Sequence, residues 1–384
     1  MRRWCYALAV VLVAHGSLIR AENATAAAEE QKPCKCVPYY TCPEVDASDE
    51  RNKNDESIQC ENFLEVCCKS PHSVSRRQLA PSRPSMKKGC GYRNPYGVGA
   101  SGRRVTDNEA RFGEFPWVVA VMTSEKPAQG GHSSTQTENT SKCGGSLIHP
   151  KVVLTGAHCV SGKEANQVKI RAGEWNILDD DEPIAAQERY VERIVAHEDF
   201  NGGNLFNDVA LLVLSKSVNP AENIGFACLP DQEYSPAPGA WCYATGWGKD
   251  VSDDENRSQG ILKKIGVPVV ANPDCQDALR NTILGKHFKL HQSFMCAGGE
   301  EGKDACKGDG GNPLLCPLPE KQEVFVQSGI VAWGIGCGKD ETPGVYASVA
   351  FFRNWIDEEM HRLQLDTSYY SYSRNLGISR NIKS

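Results

Sequence analysis

The stretch Gly308-Asp309-Gly310-Gly311-Asn312-Pro313-Leu314 has at its centre a residue without a side chain, Gly310. Glycine can neither attack a carbonyl nor hold an acyl group. Around this stretch the chain runs in short apolar or alternating segments. These are Val118 to Met122, Gly145 to Thr155, Val168 to Ala172, Val191 to Val195 and Val209 to Leu214, then Ile261 to Val270 and Val324 to Trp333. Turn-rich gaps separate them, the pattern of an antiparallel all-β body. The polar insertion from Ser124 to Ser141 reads as a surface loop. Phe352, Trp355, Ile356, Met360 and Leu363 recur at helical spacing, so Phe351 to Leu363 is expected to form an amphipathic helix packed on the body. Residues 364–384 are rich in Tyr, Ser, Asn and Arg with little to bury, and are expected to be a flexible tail.

At 384 residues the chain is long enough for about two or three domains. A formal charge of −6 argues against nucleic acid as a general partner. Arg2 and Arg3 precede an apolar run from Trp4 to Ala14, which gives way to small and polar residues. That is the pattern of a signal peptide over residues 1–21, and the run is too short to span a bilayer. No other segment reads as a membrane span. Cysteines number 17, and with Cys5 inside the leader an even number is left, as expected of a secreted, disulfide-bonded protein. Asn23, Asn139 and Asn256 head sequons and are candidate glycosylation sites in that compartment.

Cysteine spacing divides the chain. Cys34, Cys36, Cys42, Cys60, Cys67 and Cys68 crowd into residues 34–68 with few apolar side chains between them. So small a module depends on crosslinks rather than a core. Paired C-x-x-C knuckles are lacking, which argues against zinc, but the pairing is not decided by spacing. Residues 69–104 turn to Ser, Pro, Gly and Arg, with Pro71, Pro81, Pro84 and Pro95 breaking any helix, and read as an exposed linker. Arg76, Arg77, Arg103 and Arg104 are candidate cleavage sites within it, although basic residues also serve linker solubility.

Four motifs and the glycine loop resemble chymotrypsin-like serine proteases, in the family's order, across residues 105–363. Leu154-Thr155-Gly156-Ala157-His158-Cys159 resembles the segment of the catalytic histidine, and Asn207-Asp208-Val209-Ala210-Leu211-Leu212 that of the buried aspartate. Val331-Ala332-Trp333-Gly334 and Pro343-Gly344-Val345-Tyr346 resemble the walls of the substrate cleft. The family loop reads Gly-Asp-Ser-Gly-Gly-Pro-Leu, so Gly310 holds the serine position and Asn312 that of a glycine. The resemblance implies a double β-barrel in which His158 and Asp208 persist without a hydroxyl to activate. Asn312 would be the least costly substitute if that position needs unusual dihedrals. Asp304 falls where trypsin-like members carry the pocket carboxylate, with Gly334 and Gly344 along the walls. A pocket for a basic side chain and an inherited, blocked one both answer to this set. Arg104 falls where the family's new terminal isoleucine would be, leaving Asp309 in need of another partner or of exposure.

By the same resemblance Cys143 pairs with Cys159, Cys242 with Cys316, Cys275 with Cys296 and Cys306 with Cys337, which leaves Cys90 for Cys228. Cleavage at Arg103 or Arg104 would then leave the N-terminal module tethered. Glu174, Asn176, Asp179, Asp180, Asp181 and Glu182 gather hard oxygen donors where trypsin-like relatives bind calcium, with Glu174, Asn176 and Asp181 as the candidate ligands. A solvated acidic loop has the same composition. The cysteine-rich module, with Cys34-x-Cys36-Val37-Pro38-Tyr39 and adjacent Cys67-Cys68, resembles the clip domain of arthropod haemolymph proteases. Its family pairing is Cys34–Cys67, Cys36–Cys60 and Cys42–Cys68. Cys90-Gly91-x-Arg93-Asn94 and Gly113-Glu114-Phe115-Pro116-Trp117 resemble the non-catalytic clip-domain homologues of the prophenoloxidase-activating-factor type. That resemblance implies a haemolymph cofactor, cut by an upstream trypsin-like clip protease, that helps prophenoloxidase become active phenoloxidase in melanisation. Self-association after cleavage goes with it as an expectation. A receptor for microbial polysaccharide surfaces and a competitive regulator of haemolymph proteases are the alternatives.

Overall fold

The computed structural model describes residues 89–99, 105–124, 143–179, 182–232, 234–248, 260–301, 309–336 and 338–372, with the backbone alone of 35–38, 65–68 and 140–142. In the N-terminal unit, Met1–Arg83, it describes two strands, β1 (Lys35–Pro38) and β2 (Glu65–Cys68). They pair antiparallel with Cys36 opposite Cys67. The three clip-type disulfides, the sequons at Asn23, Asn139 and Asn256, and Arg76, Arg77, Arg103 and Arg104 lie outside the described residues.

The second unit, Pro84–Ser384, contains two closed six-stranded antiparallel barrels. The first is built from β3 (Val118–Thr123), β4 (Thr140–His149), β5 (Val152–Thr155), β6 (Val168–Ala172), β7 (Gln187–Ala196) and β8 (Ala210–Leu214). Their order around the barrel is β3-β4-β5-β8-β7-β6. Pro150, which has no N–H to extend a ladder, falls in the turn that divides the apolar run Gly145–Thr155 into β4 and β5. Val121, Leu147, Ile170 and Leu212 fill this barrel. The second uses β9 (Trp241–Gly246), β10 (Lys263–Val270), β11 (Phe294–Gly298), β12 (Pro313–Leu318), β13 (Lys321–Trp333) and β14 (Pro343–Ser348). Its order is β10-β11-β14-β13-β12-β9, around Ala244, Val267, Leu314 and Tyr346. Closure leaves no exposed sheet edge in either barrel. Helix α1 (Asn272–Arg280) follows β10, and α2 (Val349–Arg362) follows β14 with Phe352, Ile356 and Met360 buried.

Two expectations from the sequence are corrected. The linker expected to be exposed through 69–104 is docked in part over 89–99, where Cys90 and Gly91 are buried while Gly89, Tyr96 and Gly99 stay exposed. Cys90 is disulfide-bonded to Cys228, and Gly91 N–H donates to the Phe226 carbonyl at 2.9 Å while its own carbonyl accepts from Phe325 N–H. Arg93 then lies over the rings of Tyr243 and Phe325, 5.1 and 5.2 Å from their centroids. Buried Glu114 holds the adjoining strip: Lys264 Nζ reaches both carboxylate oxygens at 2.8 Å, and Arg93 stands 3.7 Å away. The charges are desolvated together, so each depends on the other.

The tail expected to be flexible from residue 364 is docked as far as 372. Asp366 caps a short 3₁₀ turn, Thr367–Tyr369, by accepting from Ser368 N–H at 2.8 Å. Tyr370 is fully buried, donating its hydroxyl to Asp357 at 2.6 Å beneath the Arg353 guanidinium. Tyr369 meets the rings of His149 and Phe226 edge-on. The tyrosines read as polar tail residues are amphipathic plugs. Tyr370→Ala is expected to lower unfolding free energy by about 3–5 kcal/mol, the range for deleting a buried aromatic, measured by urea denaturation of the full chain. A loss below about 1 kcal/mol would show the tail to be undocked.

Candidate functional site

His158 sits on the 3₁₀ turn Ala157–Cys159 that follows β5. Asp208 is delivered by Asn207, whose φ of 56° turns the chain before β8 in the left-handed region that asparagine tolerates. Asp208 is fully buried and takes two hydrogen bonds from the same residue: His158 N–H to Oδ1 at 2.8 Å and His158 Nδ1 to Oδ2 at 2.6 Å. A carboxylate only accepts, so Nδ1 carries a proton in this hydrogen bond. Nε2 points toward the Cys143–Cys159 disulfide, 3.4 Å from Cys159 Sγ and 3.9 Å from Cys143 Sγ. Two sulfurs and an imidazole this close have the look of metal ligands. The sulfurs are bonded to each other, so neither offers a thiolate.

Gly310 lies in front of that ring. A methyl group at this position would stand 2.5 Å from His158 Nε2, 3.3 Å from Cε1 and 3.5 Å from Cys143 Sγ. The imidazole thus occupies the volume into which a side chain at residue 310 would project. The loop around it is held from several sides: Gly144 N–H donates to the Gly310 carbonyl and Gly311 N–H to that of Val331, both at 2.9 Å. The left-handed residue of the loop is Gly311, with φ of 78°.

Asn312 would be the least costly substitute only if its position needed unusual dihedrals, and it is not among the residues with positive φ. Its side chain is fully buried between Gly144 of β4 and Gly246 of β9, where a Cβ on Gly144 would overlap the amide. Its Nδ2 donates to the Asp309 carbonyl at 3.1 Å. Asp309 is buried in turn, and its Oδ1 accepts from Gly248 N–H at 2.7 Å, a backbone partner supplied within the uncleaved chain. The wedge formed by Asn312 was visible in the sequence only as a departure from the family loop.

The remaining candidates are more scattered. Gly344 is buried in β14 opposite Ala297, whereas Gly334 is exposed at the end of β13. Asp304, Cys306, Gly308 and Cys337 lie outside the described residues, as do Asp180 and Asp181. Among the described residues four disulfides are formed: Cys90–Cys228, Cys143–Cys159, Cys242–Cys316 and Cys275–Cys296. In the acidic loop, Glu174 is buried with Arg171 Nε 2.8 Å from Oε2, and Trp175 N–H donates to Oε1 at 3.0 Å. Glu182 accepts from the same Trp175 N–H at 3.4 Å and from Asn176 N–H at 3.3 Å. Asn176 Nδ2 donates to Asp179. Burial, then the hydrogen bond and charge of Glu182, push the Glu174 carboxyl up to about 8, against the pull of Arg171.

Residues 104–356 match the family model described as Trypsin. The chain belongs to the trypsin family. It is 49% identical over 292 residues to Phenoloxidase-activating factor 2 of Galleria mellonella, covering 76% of this chain and 95% of that protein. Two Anopheles gambiae proteins, Inactive CLIP domain-containing serine proteases A8 and A28, are 35% and 34% identical. Those alignments cover 84% and 89% of this chain, and 87% and 93% of the relatives. Within the trypsin family the chain is a clip-domain serine protease homologue with the double-barrel fold.

The raised Glu174 carboxyl gives the homologue a pH-dependent loop. Its native state holds a proton that the unfolded chain, at the ordinary 4.5, has released. Stability from this group is complete below about 4.5 and is lost as pH rises toward about 8. Glu174→Gln is expected to flatten the fall in Tm across that window in scans at constant ionic strength. An unchanged slope would place the proton elsewhere.

Proposed function

We propose that this chain is a secreted, non-catalytic protease homologue that assists the activation of prophenoloxidase after being cleaved itself. The observation that carries the reading is at residue 310, where His158 Nε2 stands in the space a nucleophile would need. In subtilisin, loss of the nucleophile costs roughly a millionfold in turnover. What His158 and Asp208 retain is a satisfied buried pair rather than a reaction centre. The partner is inferred from the relatives, one named Phenoloxidase-activating factor 2 and others named as inactive clip-domain proteases.

On this reading an upstream trypsin-like protease cuts at Arg76, Arg77, Arg103 or Arg104, and the product works through a binding face. The leader and the four described disulfides favour an oxidising extracellular compartment. Among the described residues no helix is long and apolar enough to cross a membrane. Calcium belongs to the proposal as a competitor of the proton and of Arg171 at Glu174 and Glu182, two hard carboxylate donors brought together.

Cleaved protein is expected to turn over no arginyl peptide substrate. Gly310→Ser alone is expected not to restore activity, because the new side chain collides with the imidazole. Overpacking of this kind costs about 1–3 kcal/mol, to be read from denaturant unfolding beside active-site titration. Stoichiometric acylation of that variant would show that His158 swings aside freely. The cofactor role has a separate test in a reconstitution of prophenoloxidase with its activating protease. Cleaved but not intact protein should raise phenoloxidase activity. No rise, with tight binding to β-glucan or peptidoglycan, would replace the cofactor reading by surface recognition.

A further inference from the structure

A cavity of about 500 Å³ opens on the second barrel, away from His158, where the N-termini of α1 and α2 converge. That volume lies within the range of small-ligand sites, about 300–1,000 Å³. Phe294 and Met295 of β11 form part of an apolar wall, and among the described residues no Asp, Glu, Lys or Arg side chain lines the cavity. Its polarity comes from hydroxyls, amides and helix ends.

The arrangement at α2 is specific. Ser348 is its N-cap residue, yet its side chain makes no capping hydrogen bond. A capping serine ordinarily accepts from the N–H of the second or third helical residue. Those residues are Ala350 and Phe351, and both line the cavity. Helix geometry gives their N–H groups no intrahelical acceptor. The first turn of α2 carries no acidic residue, whereas α1 has Asp274 in its own. The positive end of a fourteen-residue helix is therefore left uncompensated toward the cavity.

Ser328 of β13 supplies a second, independent observation. It lines the same cavity, is 2% exposed, and its Oγ has no hydrogen-bond partner. A buried hydroxyl left unpaired is costly, so its presence calls for a partner that comes from outside the protein. Ser328 lies beside Gly329, which pairs with Ser348, and this places the hydroxyl near the helix end in the sheet register.

We propose that this cavity binds a small monocarboxylate with an apolar body. The carboxylate accepts from the Ala350 and Phe351 N–H groups and from the Ser328 hydroxyl, and the apolar body lies against Phe294 and Met295. A neutral amphiphile fills the same wall but offers the donors no charge. A dianion meets no cationic side chain among the described lining residues for its second charge.

The test uses the full chain and octanoate, with octan-1-ol as a probe of the same apolar length, by isothermal titration calorimetry. Octanoate is expected to bind at one site at least tenfold more tightly than octanol. Ser328→Ala is expected to weaken octanoate roughly tenfold, the scale of one charge-assisted hydrogen bond, and to leave octanol unchanged. Without ligand this variant should melt at the same temperature or higher, since it removes an unpaired hydroxyl. Ala350→Pro deletes one N–H where a helix tolerates proline and should weaken octanoate alone. Equal affinity for the two probes, no binding of either, or unchanged octanoate binding in both variants would overturn the proposal. A lower melting temperature for ligand-free Ser328→Ala would overturn it as well, by showing that the hydroxyl is already bonded.

Discussion

The hydrogen bond between His158 Nδ1 and Asp208 fixes where the imidazole points, and the imidazole limits what residue 310 can be. The pair is complete without a third member. The buried carboxylate accepts hydrogen bonds from the ring N–H and the backbone N–H of the same residue, so no desolvated charge is left unpaired beside a glycine at residue 310. The space in front of Gly310 is filled by the ring itself, backed by the Cys143–Cys159 disulfide.

The second departure in the same loop works differently. Gly310 removes atoms, whereas Asn312 adds them between a strand of each barrel. Its amide is packed against Gly144 and Gly246, and the neighbouring Asp309 is held by Gly248 N–H. In the uncleaved chain the loop is thereby braced by both barrels.

The sequence made the barrel strands legible where β-branched residues alternate, as in β6 and β10, or where the run is continuously apolar, as in β8. It concealed β9, β11, β12 and β14, whose short runs contain cysteine, glycine or proline and take their identity from ladder partners distant in sequence. His158, Asp208 and Gly310 were found by motif and stand together in space. The buried Glu114–Lys264 pair and the docked Tyr370 were not, because composition does not tell a solvated charge or tail tyrosine from one that has found a partner. The uncapped start of α2 was equally hidden: Ser348 reads as a good N-cap, and only its geometry shows that it does not act as one.

The Cys90–Cys228 bond gives the two halves of the linker opposite significance. With the clip cysteines paired among themselves, a cut on the N-terminal side of Cys90 would divide the protein into separate molecules that diffuse apart and bind independently. A cut on its C-terminal side frees chain ends yet keeps both modules in one covalent particle. Each module then sees a ligand held by the other at an effective concentration on the order of millimolar, as for short tethers. Two weak contacts, one through each module, would then combine into lasting capture of a single partner, and reduction of this one bond would undo it.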